Sequence, residues 1–271
     1  MLRHHRPPEP DGYAARVAAA QAAIEVAVKA GSCLEDKHFP DLWSDCKPHF
    51  YRAQHKKCGY CDGKLSDTGC MDHYRPKRAV QVLPDDEALW GREIDHGANV
   101  EGRRPVWISP RGYYWQTYAW SNFVLACERC NTGWKKNLFP VAEADRPIPP
   151  DPSATETPLL LNPFEGKDPT AHLTYDRLGQ IAPRKDSVLG RETIRTCGLD
   201  RESLRDRRED GARRAHYLVQ QLARTSGIER ERVKADLRQL GRVAGEFAGM
   251  VRSIFEDKTG CRWQDMFGEV S

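Results

Sequence analysis

Three pieces of one stretch decide how this chain is read: Cys58-Gly-Tyr-Cys61, then Asp72-His73-Tyr74-Arg75-Pro76-Lys77-Arg78, then Cys127-Glu-Arg-Cys130-Asn131. The two Cys-x-x-Cys knuckles together offer four thiolates, the tetrahedral set that a structural zinc ion prefers. The chain has nine cysteines, an odd number for a complete disulfide set, and the other five (Cys33, Cys46, Cys70, Cys197 and Cys261) lack such spacing. In a reducing compartment this pattern points to metal rather than to disulfides. A closed shell of Cys58, Cys61, Cys127 and Cys130 leaves no position for water, so the zinc is expected to hold structure and not to catalyse.

If zinc pins the knuckles together, Asn131, directly after the last cysteine, is drawn toward the segment carrying Asp72 and His73. Hydrolysing a phosphodiester needs a deprotonated water and positive charge where the phosphorus builds up negative charge. His73 is the natural general base, because an ordinary imidazole is largely neutral at pH 7. Asp72 and the side-chain oxygen of Asn131 are hard ligands of the kind that suits Mg²⁺ or Mn²⁺. Arg75, Lys77, Lys135 and Lys136 lie close by in sequence and are expected phosphate contacts, which position a strand without reading it. Each also fits the plainer role of a solvated surface charge. The run Tyr113, Tyr114, Trp115, Tyr118 and Trp120 is read as core bulk in preference to a base-stacking platform.

Working outward, the 271 residues are enough for a sizeable core. The formal charge is only +3, with 42 basic residues against 39 acidic ones, so a grip on nucleic acid has to come from local clusters. The opening residues lack the apolar core of a secretory signal and no run is long enough to span a bilayer, which gives the expectation of a cytoplasmic protein with no membrane contact. Tyr13 to Ala30 is Ala-rich, with Val17, Ile24 and Val28 on one face and Gly31 as a stop. A shorter helix is expected from Pro48 to Lys56, with proline suited to a first turn. Short strand-like pieces such as Cys70-Met71-Asp72 alternate with turn residues through the cysteine-rich block. Asp145 to Pro158 is Pro-rich and reads as a connector. Leu159–Phe164 and Leu173–Tyr175 are expected short strands, and Gly190–Cys197 and Arg201–Arg224 are expected helices. Val233, Leu237, Leu240, Ala244, Phe247, Val251 and Ile254 form one helical stripe in need of a partner.

The expected architecture is therefore α+β. An N-terminal helical segment (1–56) precedes a small zinc-stapled block (57–140), a connector with short strands (141–186) and a C-terminal helical region (187–271). Between His73 and Asn122 lie 48 residues, an insertion holding Asp85-Asp-Glu87 and Gly102-Arg-Arg-Pro105 that is of a kind that tunes access or partner contacts.

The order Cys-x-x-Cys, Asp-His, Asn122 within Trp120-Ser-Asn-Phe-Val-Leu-Ala, then Cys-x-x-Cys-Asn and Lys135 resembles the HNH (ββα-metal) endonuclease family over about residues 57 to 140. The longer wording Asp-His-Tyr-Arg-Pro-Lys, Tyr113-Tyr-Trp-Gln-Thr-Tyr-Ala-Trp120 and Asn137-Leu-Phe-Pro140 looks like the HNH subunit of Septu and retron-linked bacterial antiphage systems. Leu160-Leu-Asn-Pro-Phe164, His172-Leu-Thr-Tyr175 and Gly198-Leu-Asp-Arg201 extend the likeness more loosely. The resemblance implies a ββα-metal module, an endonuclease acting on DNA, and work beside an ATPase subunit. It gives Asn122 the middle family position, orienting the loop that bears His73; a helix cap or turn amide is the plainer role. The last family position is often His and here is Asn131, which implies a weaker hold on the divalent ion. Two other readings stay open: a non-catalytic zinc-knuckle module that binds nucleic acid or protein, and an HNH enzyme that acts alone.

Overall fold

The computed structural model describes residues 1–83, 106–109, 111–142 and 156–268. The charged insertion residues Asp85–Glu87 and Gly102–Pro105, and most of the Pro-rich connector, lie outside the described residues.

Helix α1 (Tyr13–Lys29) buries Tyr13, Val17 and Ile24, spaced so that all three fall on one side. Gly31, at φ 76°, turns the chain away at its end. Helix α2 (Lys47–Ala53) carries Pro48 in its first turn, where a missing N–H costs nothing. Helix α1 packs against the Tyr114–Gln116 turn and α2 against β4, which belongs to a central antiparallel pair, β1 (Cys70–His73) and β4 (Phe123–Ala126), in the register Cys70↔Ala126, Met71↔Leu125, Asp72↔Val124 and His73↔Phe123. A second pair joins β2 (Val80–Val82) to β3 (Val106–Ser109). After β4 the chain runs into a seven-residue π-helical turn, Arg129–Lys135, a wide geometry often found at functional sites.

Downstream, β5 (Leu173–Tyr175) pairs with β6 (Ile181–Pro183). Helices α3 (Val188–Cys197), α4 (Glu202–Arg224), α5 (Gly227–Leu240), α6 (Ala248–Thr259) and α7 (Trp263–Phe267) follow. Two expectations differ from this arrangement. Leu159–Phe164 forms no strand: Pro163 has no N–H to give, the Leu161 N–H goes to Thr193 Oγ1, and the Asn162 carboxamide caps Phe164 N at 2.9 Å. The stripe from Val233 to Ile254 is split between α5 and α6. Gly241 lies against the indole of Trp263, where an added Cβ would come within 2.4 Å, and Phe247 takes the left-handed conformation while its N–H bonds to Asp62 O.

One continuous core runs through all of these elements, from Val17 and Ile24 in α1 through Phe50, Phe123 and Leu125 to Leu218, Ile254 and Phe255. The C-terminal helices reach the zinc block through close backbone contacts. Gly198, in the left-handed region after α3, lets Trp134 lie flat on it; a Cβ there would sit 1.9 Å from the indole. Tyr113, Tyr114, Tyr118 and Trp120 are buried, in keeping with the core role read from the sequence.

Candidate metal centre and histidine site

The first knuckle is a tight loop closed by Asp62 N–H to Cys58 O and by Cys58 N–H to Gly63 O. Gly59 bonds to Leu125 O of β4. The second knuckle opens the π-helical turn, where Asn131 N–H bonds back to Cys127 O. These folds bring the sulfurs of Cys58, Cys61, Cys127 and Cys130 to within 4.8 Å of one another, with Cys61 and Cys127 at 4.0 Å. A tetrahedral zinc with bonds near 2.3 Å needs sulfurs about 3.8 Å apart, so a zinc ion fits with a contraction of the cluster. Thiol hydrogen bonds from Cys127, Cys130 and Cys58 hold Cys61 well below the ordinary thiol value. Arg201 donates to Cys130 Sγ at 3.4 Å and to the carbonyls of Cys197 and Gly198. Burial works against its charge, but the sulfurs of Cys130 and Cys61 outweigh it and raise its pKa.

Asp72 and His73 are neighbours in sequence but not in space. Strand alternation points them to opposite faces of the β1–β4 pair. Asp72 faces the first knuckle, 3 % exposed. Its Oδ2 accepts from Tyr60 Oη at 2.5 Å and pairs with Lys135 Nζ at 3.0 Å, while Oδ1 takes Lys135 at 3.2 Å. Burial pushes the Asp72 carboxyl up, and Lys135 and Tyr60 hold that rise in check. Lys135 Nζ also donates to His73 O at 2.8 Å. Lys135, expected as a phosphate contact, is thus fully buried, and its ammonium stands where a divalent cation on Asp72 would sit. Asn131 does reach β1, but its amide nitrogen points at Met71 O, 3.5 Å away. In this arrangement Asp72 offers no open oxygen, and the pair expected to hold Mg²⁺ or Mn²⁺ does not fit that ion.

His73 lies on the other face, its ring edge-on between Trp43 at 4.8 Å and Phe123 at 5.5 Å between centroids. Its Nε2 lies 2.9 Å from Thr117 O. A carbonyl can only accept, so Nε2 carries the proton and Nδ1 is left with its lone pair. Burial, aided by Lys77, lowers the His73 pKa to about 3 against the opposing bond from Thr117. The imidazole is therefore neutral at pH 7.

Asn122 locks the loops around this ring. Its Oδ1 accepts from Arg75 N–H at 2.7 Å, and its Nδ2 donates to Arg75 O and Gln116 O, both at 3.0 Å. One buried amide thus ties the residue two beyond His73 to the residue just before Thr117. Lys77 packs its ammonium 3.7 Å above the Trp43 ring, and burial lowers its pKa to about 8 while Asp36 and Asp41 oppose the shift. Arg75 is paired with Glu156 at 3.1 Å, and Lys136 is exposed. Sequence reasoning missed Thr117, Trp43 and Tyr60. Thr117 acts through its backbone carbonyl, which any residue would supply, and Trp43 lies in a segment with no motif. Tyr60, inside the first knuckle, carried the one usable signal.

The fold and site define a mixed helix and small-sheet protein with a four-cysteine cluster able to hold zinc and a buried neutral histidine on the other face of the β1–β4 pair. No family model matches the chain and no solved structure does. The chain is similar to the Septu protein PtuB of Bacillus mycoides (strain KBAB4), 34 % identical over 155 residues, which is 56 % of this chain and 45 % of that protein. The match supports a Septu-related protein and spans less than half of the relative. No helix among the described residues is long and apolar enough to cross a membrane.

Proposed function

We propose that this chain is an HNH-type endonuclease that hydrolyses phosphodiester bonds of nucleic acid, DNA foremost, with His73 as general base. The observation that carries the reading is the state of the His73 ring: neutral, fixed between Trp43 and Phe123, and protonated on Nε2 by its bond to Thr117 O. Nδ1 is then the atom that takes a proton from water as the water oxygen bonds to phosphorus and the bond from phosphorus to the departing sugar oxygen breaks, that oxygen taking a proton from solvent. A pKa of about 3 makes it a weak but always available base, and proton uptake is helped where the developing charge on phosphate lies close to it. Lys77, whose charge acts on the His73 ring, is the cation proposed to meet that charge, and Lys136 is exposed on the turn after the second knuckle. Asn122 acts as a positioning residue through the two loops it joins. Lys135 occupies Asp72, and zinc on the four cysteines would have a structural role.

The likeness to a Septu protein supports a place in antiphage defence; work as a nuclease beside an ATPase subunit, in the cytoplasm, is the finer reading proposed with it. The test is nicking of supercoiled plasmid, and cleavage of single-stranded DNA and RNA, with Mg²⁺ or Mn²⁺ supplied. His73→Ala should lose about 10²- to 10⁴-fold in rate. Undiminished cleavage by that variant would remove His73 from the mechanism. The sealed Asp72 favours a second reading, a zinc-knuckle module that binds nucleic acid without cutting it. A wild-type chain that retards DNA in a gel yet never nicks it, alone or with the ATPase, would select that reading.

A further inference from the structure

The loop that leaves β1 carries Arg75, Lys77 and Arg78, and two of these cations are already engaged. Arg75 Nε pairs with Glu156 Oε1 at 3.1 Å and Arg78 Nη1 with Asp36 Oδ1 at 2.8 Å. Lys77 makes neither an ion pair nor a hydrogen bond among the described residues; its ammonium lies 3.7 Å from the centre of the Trp43 ring and 5.3 Å from that of Phe39. The two carboxylates whose charge reaches it, Asp36 and Asp41, have other partners. Asp36 is held by Arg78, and Asp41 accepts the Ser44 N–H at 3.0 Å on Oδ1 and the Ser44 hydroxyl at 2.6 Å on Oδ2. An aromatic face attracts a cation without taking its proton. Lys77 is thus half-buried, still open to solvent, and keeps its donor capacity unspent. The same indole stands edge-on to His73 at 4.8 Å, and the Lys77 charge is felt by that imidazole.

The loop is held firmly enough to fix this placement. Asn122 binds both the N–H and the C=O of Arg75, Tyr113 N–H bonds to Pro76 O at 2.8 Å, and Gly112 lies so close beneath that a Cβ would come within 2.7 Å of Pro76 O and 2.8 Å of Ala79 N. We infer that Lys77 is the general acid of the reaction, giving the departing sugar oxygen its proton in place of solvent; the inference rests on the hydrolytic reading of His73. As the bond from phosphorus to that oxygen breaks, the oxygen takes a proton from Nζ and the amine is left neutral. The proton that His73 took from water then returns through solvent to Lys77, so one water is consumed and both residues are restored. Burial suits the part, since it lowers the Lys77 pKa to about 8 against the pull of Asp36 and Asp41, with Arg78 adding to the drop. At pH 7 the ammonium is protonated and gives up its proton more readily than an ordinary lysine.

The test compares two phosphodiesters with the whole chain: plasmid DNA, whose departing oxygen needs a proton, and bis(p-nitrophenyl) phosphate, whose phenolate leaves without one. Lys77→Arg keeps a cation that stacks well on Trp43 but holds its proton, and thermal melts establish that it is folded. Its rate on DNA should fall about 10²-fold or more, and at least about ten-fold less on the activated diester, whereas His73→Ala should slow both. Full activity of Lys77→Arg on DNA, or equal losses on the two substrates, would overturn the inference and leave Lys77 acting through charge or packing. Lys77→Met, read on the same pair, decides if Lys77→Arg fails to fold. A wild-type chain that cleaves neither substrate, or cleavage indifferent to His73→Ala, would remove the hydrolytic reading and this one together; cleavage that needs His73 yet ignores the leaving group removes this one alone.

Discussion

Replacing Lys135 by Met tests the most unusual feature of the site, because it removes a buried cation while keeping a long apolar stem. In the native chain the ammonium makes contacts of 3.0 and 3.2 Å to Asp72 and 2.8 Å to His73 O. Without it, the carboxylate is left among Tyr60, Val124 and the knuckle with only the Tyr60 hydroxyl. It escapes by taking up a proton, and at pH 7 that costs about 1.36 × (7 − 3.9), or roughly 4 kcal/mol, which caps the electrostatic loss. The lost bond to His73 O adds about 1 kcal/mol and the better-buried Met side chain offsets a similar amount. The expected destabilisation at pH 7 is therefore about 3–5 kcal/mol, the range typical of breaking one partner of a buried pair. The pH dependence is the sharper part. In the variant the folded pKa of Asp72 lies well above its unfolded value, so stability is present at low pH and lost as pH rises. The deficit relative to wild type should shrink by about 1.4 kcal/mol for each unit of pH from 7 down to 5. Urea unfolding at pH 7, 6 and 5, followed by circular dichroism on zinc-replete protein, measures it. The double variant Asp72→Asn/Lys135→Met should regain most of the loss. A single variant within 1 kcal/mol of wild type, or a deficit that does not change with pH, would show that Lys135 is not the counter-ion of a charged Asp72.

Elemental analysis should find about one zinc per chain, and Cys127→Ser or exhaustive chelation should cost the protein its cooperative thermal transition, since the knuckles lose the ion that would join them. Gly198→Ala should destabilise by several kcal/mol, because the new methyl would meet the Trp134 indole at 1.9 Å in a left-handed conformation that alanine resists; a melting temperature equal to wild type would contradict this contact. His73 titrates near 6.5 in the unfolded chain and at about 3 when folded, so unfolding takes up a proton between those values and stability falls as pH drops through that window. His73→Phe should flatten that part of the stability–pH curve, and an unchanged slope would mean that the imidazole is not buried neutral.

The four-cysteine cluster was legible because its chemistry is written locally: two short knuckles, each with a fixed spacing, need only to meet. Helices α1, α2, α3 and α4 were legible for a similar reason, since the apolar spacing of Tyr13, Val17 and Ile24, or the proline at Pro48, acts within one element. The partner of Asp72 was not legible. The pattern Asp-His reads as two groups aimed at one phosphate, but a strand of period two sends them to opposite faces, and which face holds Lys135 depends on where the π-helical turn lands. The break at Gly241 was likewise hidden, because it is caused by the Trp263 indole, distant in sequence, pressing on a backbone that carries no side chain. Leu159–Phe164 has a strand's composition but finds its bonding partners in side chains of Thr193 and Asn162.

The concentration of buried charge around so small a sheet has a physical cause. β1 and β4 are each four residues long and form a sheet of two strands only, which is marginal by itself in water. Position at His73 must then come from cross-links perpendicular to the strands. The four-cysteine cluster, which could hold zinc, joins the loop before β1 to the turn after β4; Lys135 ties that turn to β1; Asn122 ties the loop after β1 to the segment bearing Thr117. Each tether has a charge consequence. Four thiolates around a Zn²⁺ would carry about −2, and Arg201 and Arg208, both buried, lie in the field of Cys130 and Cys61, where their positive charges would oppose it. Those arginines sit on α4 and at its N-terminal edge, so the C-terminal helices complete the electrostatics of the zinc cluster as well as covering it. A fragment ending at the second knuckle would keep all four cysteines yet lose both arginines.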